Sequence, residues 1–191
     1  MSEWIGLLAS ADSNERAHAA HELFRLGCAA AEPVLRKWFA DAEFRALARS
    51  GSSLLTVGIA VEPARFETIR ASFGQPRLAE APADQDVIEF ELEFPHGVRL
   101  DVLTTRAREG DGAIARFLKR FGEGIQQVEC DVRDVALATE LLRSHFALEP
   151  IYPAARSGAE RTRVNFFLVP VDESRKILIE LVEVAPRQKK K

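Results

Sequence analysis

LLTVGIAVEP at Leu54–Pro63 and IQQVECDVRD at Ile125–Asp134 open two copies of one unit. Each is a short β-rich run that leads into a helix and then into further strands. The first copy ends in VRLDVLTT at Val98–Thr105 and the second in KILIELVEV at Lys176–Val184. Each closing strand carries a carboxylate, Asp101 in the first and Glu180 in the second. Between them Val87–Phe94 alternates strictly, with Ile88, Phe90, Leu92 and Phe94 set against Glu89, Glu91 and Glu93. That period of two marks a half-buried strand. His96-Gly97 then predicts a tight turn. Two βαβββ modules forming a cupped, eight-stranded mixed sheet of the α+β class are the expected fold.

Working outward, residues 111–121 predict a connecting helix with Ile114, Phe117, Leu118 and Phe121 on one stripe. In the second module Asp134 caps a helix that turns Ala138, Leu141 and Leu142 inward. Strands are expected near Glu149–Ala154, Arg163–Pro170 and Ile177–Val184. Modules at 54–105 and 125–184 therefore make one domain over 54–184, followed by a basic tail at 186–191 (PRQKKK).

The first fifty residues read as helical. Asp12 or Ser13 can cap a helix with Ala17, Ala20, Leu23 and Phe24 on one face, and Gly27 predicts its end. Pro33 then suits the first turn of a second helix that carries Val34, Leu35 and Trp38. The expectation is an N-terminal helical hairpin over 1–50, joined through Ser50-Gly51-Ser52-Ser53. The run DSNERAHAAHELFRLGCAAAEPVLRKWF resembles a single HEAT-type repeat. One such repeat cannot bury both faces alone, so it packs on the rest of the chain or offers a surface to a protein partner.

Composition limits the function classes. Of 191 residues, 47% are hydrophobic and 29% charged, with a formal charge of −3. No basic footprint for nucleic acid is present. No apolar run reaches the ~20 residues a membrane-spanning helix needs. The start, MSEWIGLLAS, lacks a basic leader segment, and Cys28 and Cys130 read as buried thiols of a reducing compartment. A cytoplasmic location is the expectation.

The pattern GEGIQQVECDVRD, helix, RVNFFLVP, ILIELVEV resembles the second module of the vicinal-oxygen-chelate superfamily, whose members include methylmalonyl-CoA epimerase, glyoxalase I and bleomycin-resistance proteins. LLTVGIAVEP resembles the opening strand of the first module. The resemblance implies a metal held by one side chain from each of four strands. The positions here are Thr56, Asp101, Gln127 and Glu180, so two histidine positions of the epimerases hold Thr56 and Gln127. Glu89 resembles the epimerase carboxylate that moves a proton beside a thioester carbonyl. An all-oxygen donor set favours magnesium, calcium or manganese over zinc. The resemblance also implies a lyase or epimerase activity and a homodimer.

Strand parity makes the cup acidic. If Gln127 faces inward, so do Glu129 and Asp131, together with Glu89, Glu91, Glu93, Asp101 and Glu180. Arg99, Arg163 and Asn165 complete the expected ligand cup. An alternative function is the non-catalytic binding of a small cationic molecule there. Another alternative places the carboxylates on a solvated sheet face. His18 and His21, three apart on a helix, could share a metal, though a surface role is the simpler reading. No glycine-rich phosphate loop precedes a helix.

Overall fold

The computed structural model describes residues 1–49, 54–173 and 175–183. The expected linker at 50–53, the end of the last strand at Val184 and the tail at 186–191 lie outside the described residues.

The N-terminal segment departs from a hairpin. Helix α1 spans Ser2–Leu7, α2 runs unbroken over Ser13–Ala40, and α3 covers Ala42–Leu47. Asp12 caps α2 by accepting from Asn14 N at 2.8 Å. Gly27 does not end the helix. It lets α2 lie against β1 (Leu55–Ala60), because a Cβ there would come within 2.6 Å of the Val57 methyls. Pro33 sits inside the helix. A mid-helix proline costs about 3 kcal/mol, which burial of one long stripe offsets: Ala19, Ala20, Leu23, Ala31, Val34, Leu35 and Trp38 are all buried. That stripe faces this chain's own sheet. Past α3, Arg49 N donates to Asp131 O and Arg133 N to Leu47 O, tying the segment to the C-terminal end of β4 (Gly124–Asp131).

Seven strands form one mixed sheet among the described residues. β2 is Ile88–Phe94, β3 Val98–Thr104, β5 Arg156–Ser157, β6 Arg163–Pro170 and β7 Lys176–Glu183. Their order is β2-β3-β1-β4-β7-β6-β5. β1 pairs parallel to β3 and β4 parallel to β7, while β1 and β4 run antiparallel at the centre. The two modules thus meet along their first strands, as duplication requires.

Eight strands were expected, and each module has an irregular outer segment. The strand predicted near Glu149–Ala154 is absent, replaced by the two-residue β5, because Pro150 and Pro153 have no N–H to give a ladder. Before β2 only one such bond forms, from Ala79 N to Glu89 O. Pro76 and Pro82 interrupt that stretch in the same way.

Helices α4 (Pro63–Ser72) and α6 (Val135–Phe146) cover the back of the sheet beside α2, and α5 (Ala113–Phe121) follows the first module. One core joins α2, α4 and α6 to Val57, Ile59, Phe90, Leu100, Val102, Val128, Cys130, Phe167, Ile179 and Leu181, while α5 packs in a second cluster with Ala60 and Leu103. Phe66 of α4 meets Phe90 edge-on at 4.9 Å between ring centres, and Trp38 of α2 meets Phe167 at 6.2 Å. On α5, Ile114 and Leu118 are buried, whereas Phe121 is 65% exposed. The alternate residues of the same strands are left to face the other way.

Candidate functional site

That other face lines a cavity of about 980 Å³. Pairing register places the acidic side chains in rows. Glu91 lies opposite Asp101, Asp101 beside Gly58, and Gly58 opposite Gln127. One step along, Thr56 lies opposite Glu129, which pairs with Glu180, which faces Phe166. Gly58 is needed at the centre: a Cβ there would come within 2.6 Å of the Gln127 side chain. The glycine therefore makes room for the amide.

Gln127 ties the floor together. Its Nε2 donates to Glu180 Oε2 at 2.6 Å and to Glu129 Oε1 at 3.0 Å. Asp101 and Glu129 share a side-chain hydrogen bond that raises Asp101 and opposes the rise of Glu129. Desolvation raises all of these carboxyls, since burial disfavours the charged form. Glu89 is pushed up to about 7 by burial and then by the Asp101 charge. Glu129 is pushed up to about 8 by burial and by Glu180. Asp101 and Glu180 also lie well above the ordinary carboxylate range, with burial the leading cause in each. Asp131 is raised more modestly, because Arg99 opposes its desolvation.

Arg99 serves the rim rather than the floor. Its guanidinium pairs with Glu91 at 2.6 Å and with Asp131 at 3.4 Å. Thr56 is 1% exposed, and its Oγ1 has no hydrogen-bond partner among the described residues. A buried hydroxyl without a partner costs about 1–3 kcal/mol, and Thr56 is not among the residues that line the cavity.

The structure brings Glu89, Glu91, Arg99, Asp101, Gln127, Glu129, Asp131 and Glu180 to the cavity wall. It does not bring Thr56, Arg163 or Asn165 there. In β6 the core-facing residues are Phe167 and Val169, so by parity Asn165 and Arg163 point to the back of the sheet. Asn165 is fully buried and donates to Thr139 Oγ1 of α6 at 3.4 Å and to Tyr152 O at 3.3 Å. Arg163 pairs outside the cup with Glu183 at 3.6 Å. Both faces of RVNFFLVP are rich in apolar residues, so its pattern alone could not decide the parity. Among the described residues, no three His, Cys, Asp or Glu side chains stand as a ready-made metal cage.

Sequence reading missed part of the wall. Tyr152, Arg156, Glu160, Arg116 and Asp86 also line the cavity. Only Arg116 lies on a helix; the others sit in turns or on the two-residue β5, where periodicity carries no signal.

Solved structures share this architecture. Methylmalonyl-CoA epimerase from Mycobacterium tuberculosis is 31% identical, covering 73% of this chain and 95% of that chain at a TM-score of 0.56. The chain belongs to the vicinal-oxygen-chelate superfamily. A hypothetical protein from Bacillus halodurans matches at 22% identity, with 71% and 96% coverage and a TM-score of 0.56. A methylmalonyl-CoA epimerase solved with methylmalonyl-CoA and NH4+ matches at 24%, with 73% and 96% coverage and a TM-score of 0.54. No protein-family model and no curated protein matches the chain. These epimerase structures are covered almost end to end while about a quarter of this chain stays unmatched. Among the described residues, no helix of this superfamily member is long and apolar enough to cross a membrane.

Proposed function

We propose that the cup binds a small carbonyl compound and that Glu89 moves a proton beside the carbonyl, as a lyase or epimerase would. The observation that carries this reading is Glu89 itself. It stands on the cavity wall of an epimerase-like fold, half-buried, with its carboxyl pushed up to about 7. A base that titrates near the working pH is both available and strong enough to take a proton, and such a group contributes about 10²–10⁴-fold.

The same reading includes a hard divalent cation. The donor chemistry supports one: the floor offers the carboxyl oxygens of Asp101, Glu129 and Glu180, while Gln127 presents its Nε2 to Glu180 and Glu129 and its amide would turn to offer oxygen. Asp101, Gln127 and Glu180, which line the cavity, would hold magnesium, calcium or manganese in preference to zinc. Bound there, the ion would supply Lewis-acid stabilisation of negative charge on a carbonyl oxygen. Glu89 takes the proton, the apolar wall of Leu103, Phe166 and Leu178 excludes water, and Arg99 holds the rim carboxylates in place.

A second reading has its own support. The floor carboxyls Asp101, Glu129 and Glu180 outnumber any cation near them, and Tyr152 and Phe166 line the same space. That combination suits binding of a small cationic molecule without chemistry.

The test is exchange of a substrate proton for deuterium. The protein is incubated in D2O with a panel of acyl thioesters, methylmalonyl-CoA included, and of small 2-oxo compounds, with and without magnesium or manganese. Incorporation at the carbon beside the carbonyl, lost in Glu89→Gln, is the expected result. Compounds that bind and raise the melting temperature but never exchange would overturn the enzyme reading in favour of the binder.

A further inference from the structure

Duplication predicts an outer strand before β2, and the residues at that position do something else. Only Ala79 N bonds to β2, through Glu89 O at 2.9 Å. The rest of the stretch crosses to the second module. Arg77 pairs with Glu160 at 2.7 Å. Glu80 N donates to Glu160 Oε1 at 2.9 Å, and Glu160 N donates back to Glu80 O at 3.2 Å. Further along, Gln85 Nε2 donates to Ser157 O at 3.0 Å, and Arg156 pairs with Asp84 at 2.5 Å. Asp84 and Gln85 on one side of this crossing and Arg156 and Glu160 on the other line the cavity. Glu160 and Arg161 hold left-handed backbone, φ 51° and 62°, to present their groups.

We propose that residues 77–86 form a strap across the mouth of the cup, latched on Glu160, and that ligand entry requires this latch to open.

Two features make it a gate rather than a fixed wall. First, the side-chain contacts that cross between the two halves are all polar and exposed, while Asp86, at the strap's end, stays anchored beside its own module by Thr105 Oγ1 at 2.5 Å and Arg106 N at 2.9 Å. Exposed ion pairs each contribute little, and their strength falls with salt. Segments held in this way open at far lower cost than a core strand does. Second, the latch is part of the cavity wall, since Asp84, Gln85, Arg156 and Glu160 line the same space as Glu89. Opening the strap therefore changes the wall that an arriving ligand meets. This inference concerns access alone and stands whether or not Glu89 acts as a base.

The test uses a reporter thiol inside the cup. Leu178 lines the cavity and is half-buried, so Leu178→Cys is made with Cys28→Ser, while Cys130 stays buried in the core. Its labelling by a bulky maleimide is compared with labelling by a small methanethiosulfonate. Adding Arg77→Met and Glu160→Gln is expected to raise the bulky rate about tenfold, the factor given by ~1.4 kcal/mol, and the small-reagent rate by under about twofold. Raising sodium chloride from about 0.05 to about 1 M, where the screening length falls to ~3 Å, should accelerate labelling of the latched protein and not of the unlatched one. Gln85→Ala alone, which removes one contact, should give a smaller rise and guards against a variant that simply loses its fold. Bulky-reagent rates that ignore both variants and salt would overturn the gate.

Discussion

The two faces of one sheet are written by alternate residues of the same strands, and they follow opposite rules. The back face buries Val57, Phe90, Leu100, Val128 and Ile179 against three helices. The cup face sets Glu89, Asp101, Glu129 and Glu180 close together in a cavity that raises every one of their proton affinities. The back lowers the free energy of the fold by removing apolar area from water. The cup raises it, because close-packed carboxyls must either hold protons or repel. A face that destabilises its own protein when empty has the character of a binding surface.

Experiments can break this contrast or sharpen it. The largest effect belongs to the back face. Trp38→Ala removes a side chain that touches both Phe44 and Phe167. Large-to-small aromatic changes in a core cost about 3–5 kcal/mol, or roughly 6–20 °C in melting temperature for a chain of this size. A drop of under about 3 °C by calorimetry would mean that α2 is only loosely attached to the sheet.

The cup predicts the opposite sign. Glu129 is pushed up to about 8 and Glu89 to about 7, so the folded state holds protons that the unfolded chain releases nearer 4.5. Linkage then makes stability fall as pH rises from about 4.5 through about 8. Glu129→Gln should therefore raise the melting temperature at pH 8, by roughly 3–8 °C, and the gain should fade as pH approaches 5. A substitution that destabilises equally at both pH values would show that the cup carboxyls are held by favourable contacts rather than crowded together.

The smallest effect tests the parity of β6. Asn165→Ala loses buried hydrogen bonds to Thr139 and Tyr152 O and should cost about 1–3 kcal/mol. Arg163→Ala should change stability by less than about 1 kcal/mol, as exposed pairs do. Neither should alter the proposed binding of magnesium or manganese in the cup, measured by calorimetry. A loss of metal affinity in either variant would put these residues back in the cup.

Much of this was legible in the chain. The alternation over Ile88–Phe94 and the repeat of strand, helix and strands gave the sheet and its two faces, and Asp12 and Asp134 gave the helix starts. Gly27 misled, because a glycine that permits close approach looks the same in sequence as one that ends a helix. Pro33 misled for a related reason: only the buried stripe on either side of it reveals that one helix continues through.

Local chemistry sets period, capping and the chemical type of each position, and these act within a few residues, so the sequence by itself determined the duplicated strands and the acidity of one face. Which carboxyl keeps a proton, which arginine reaches the rim and which turn closes the mouth depend on groups far apart in the chain. Glu180 comes to Gln127 across 53 positions and Glu160 to Arg77 across 83. Burial and charge at such distances exist only once the sheet has curled, and there the tertiary structure alone decides.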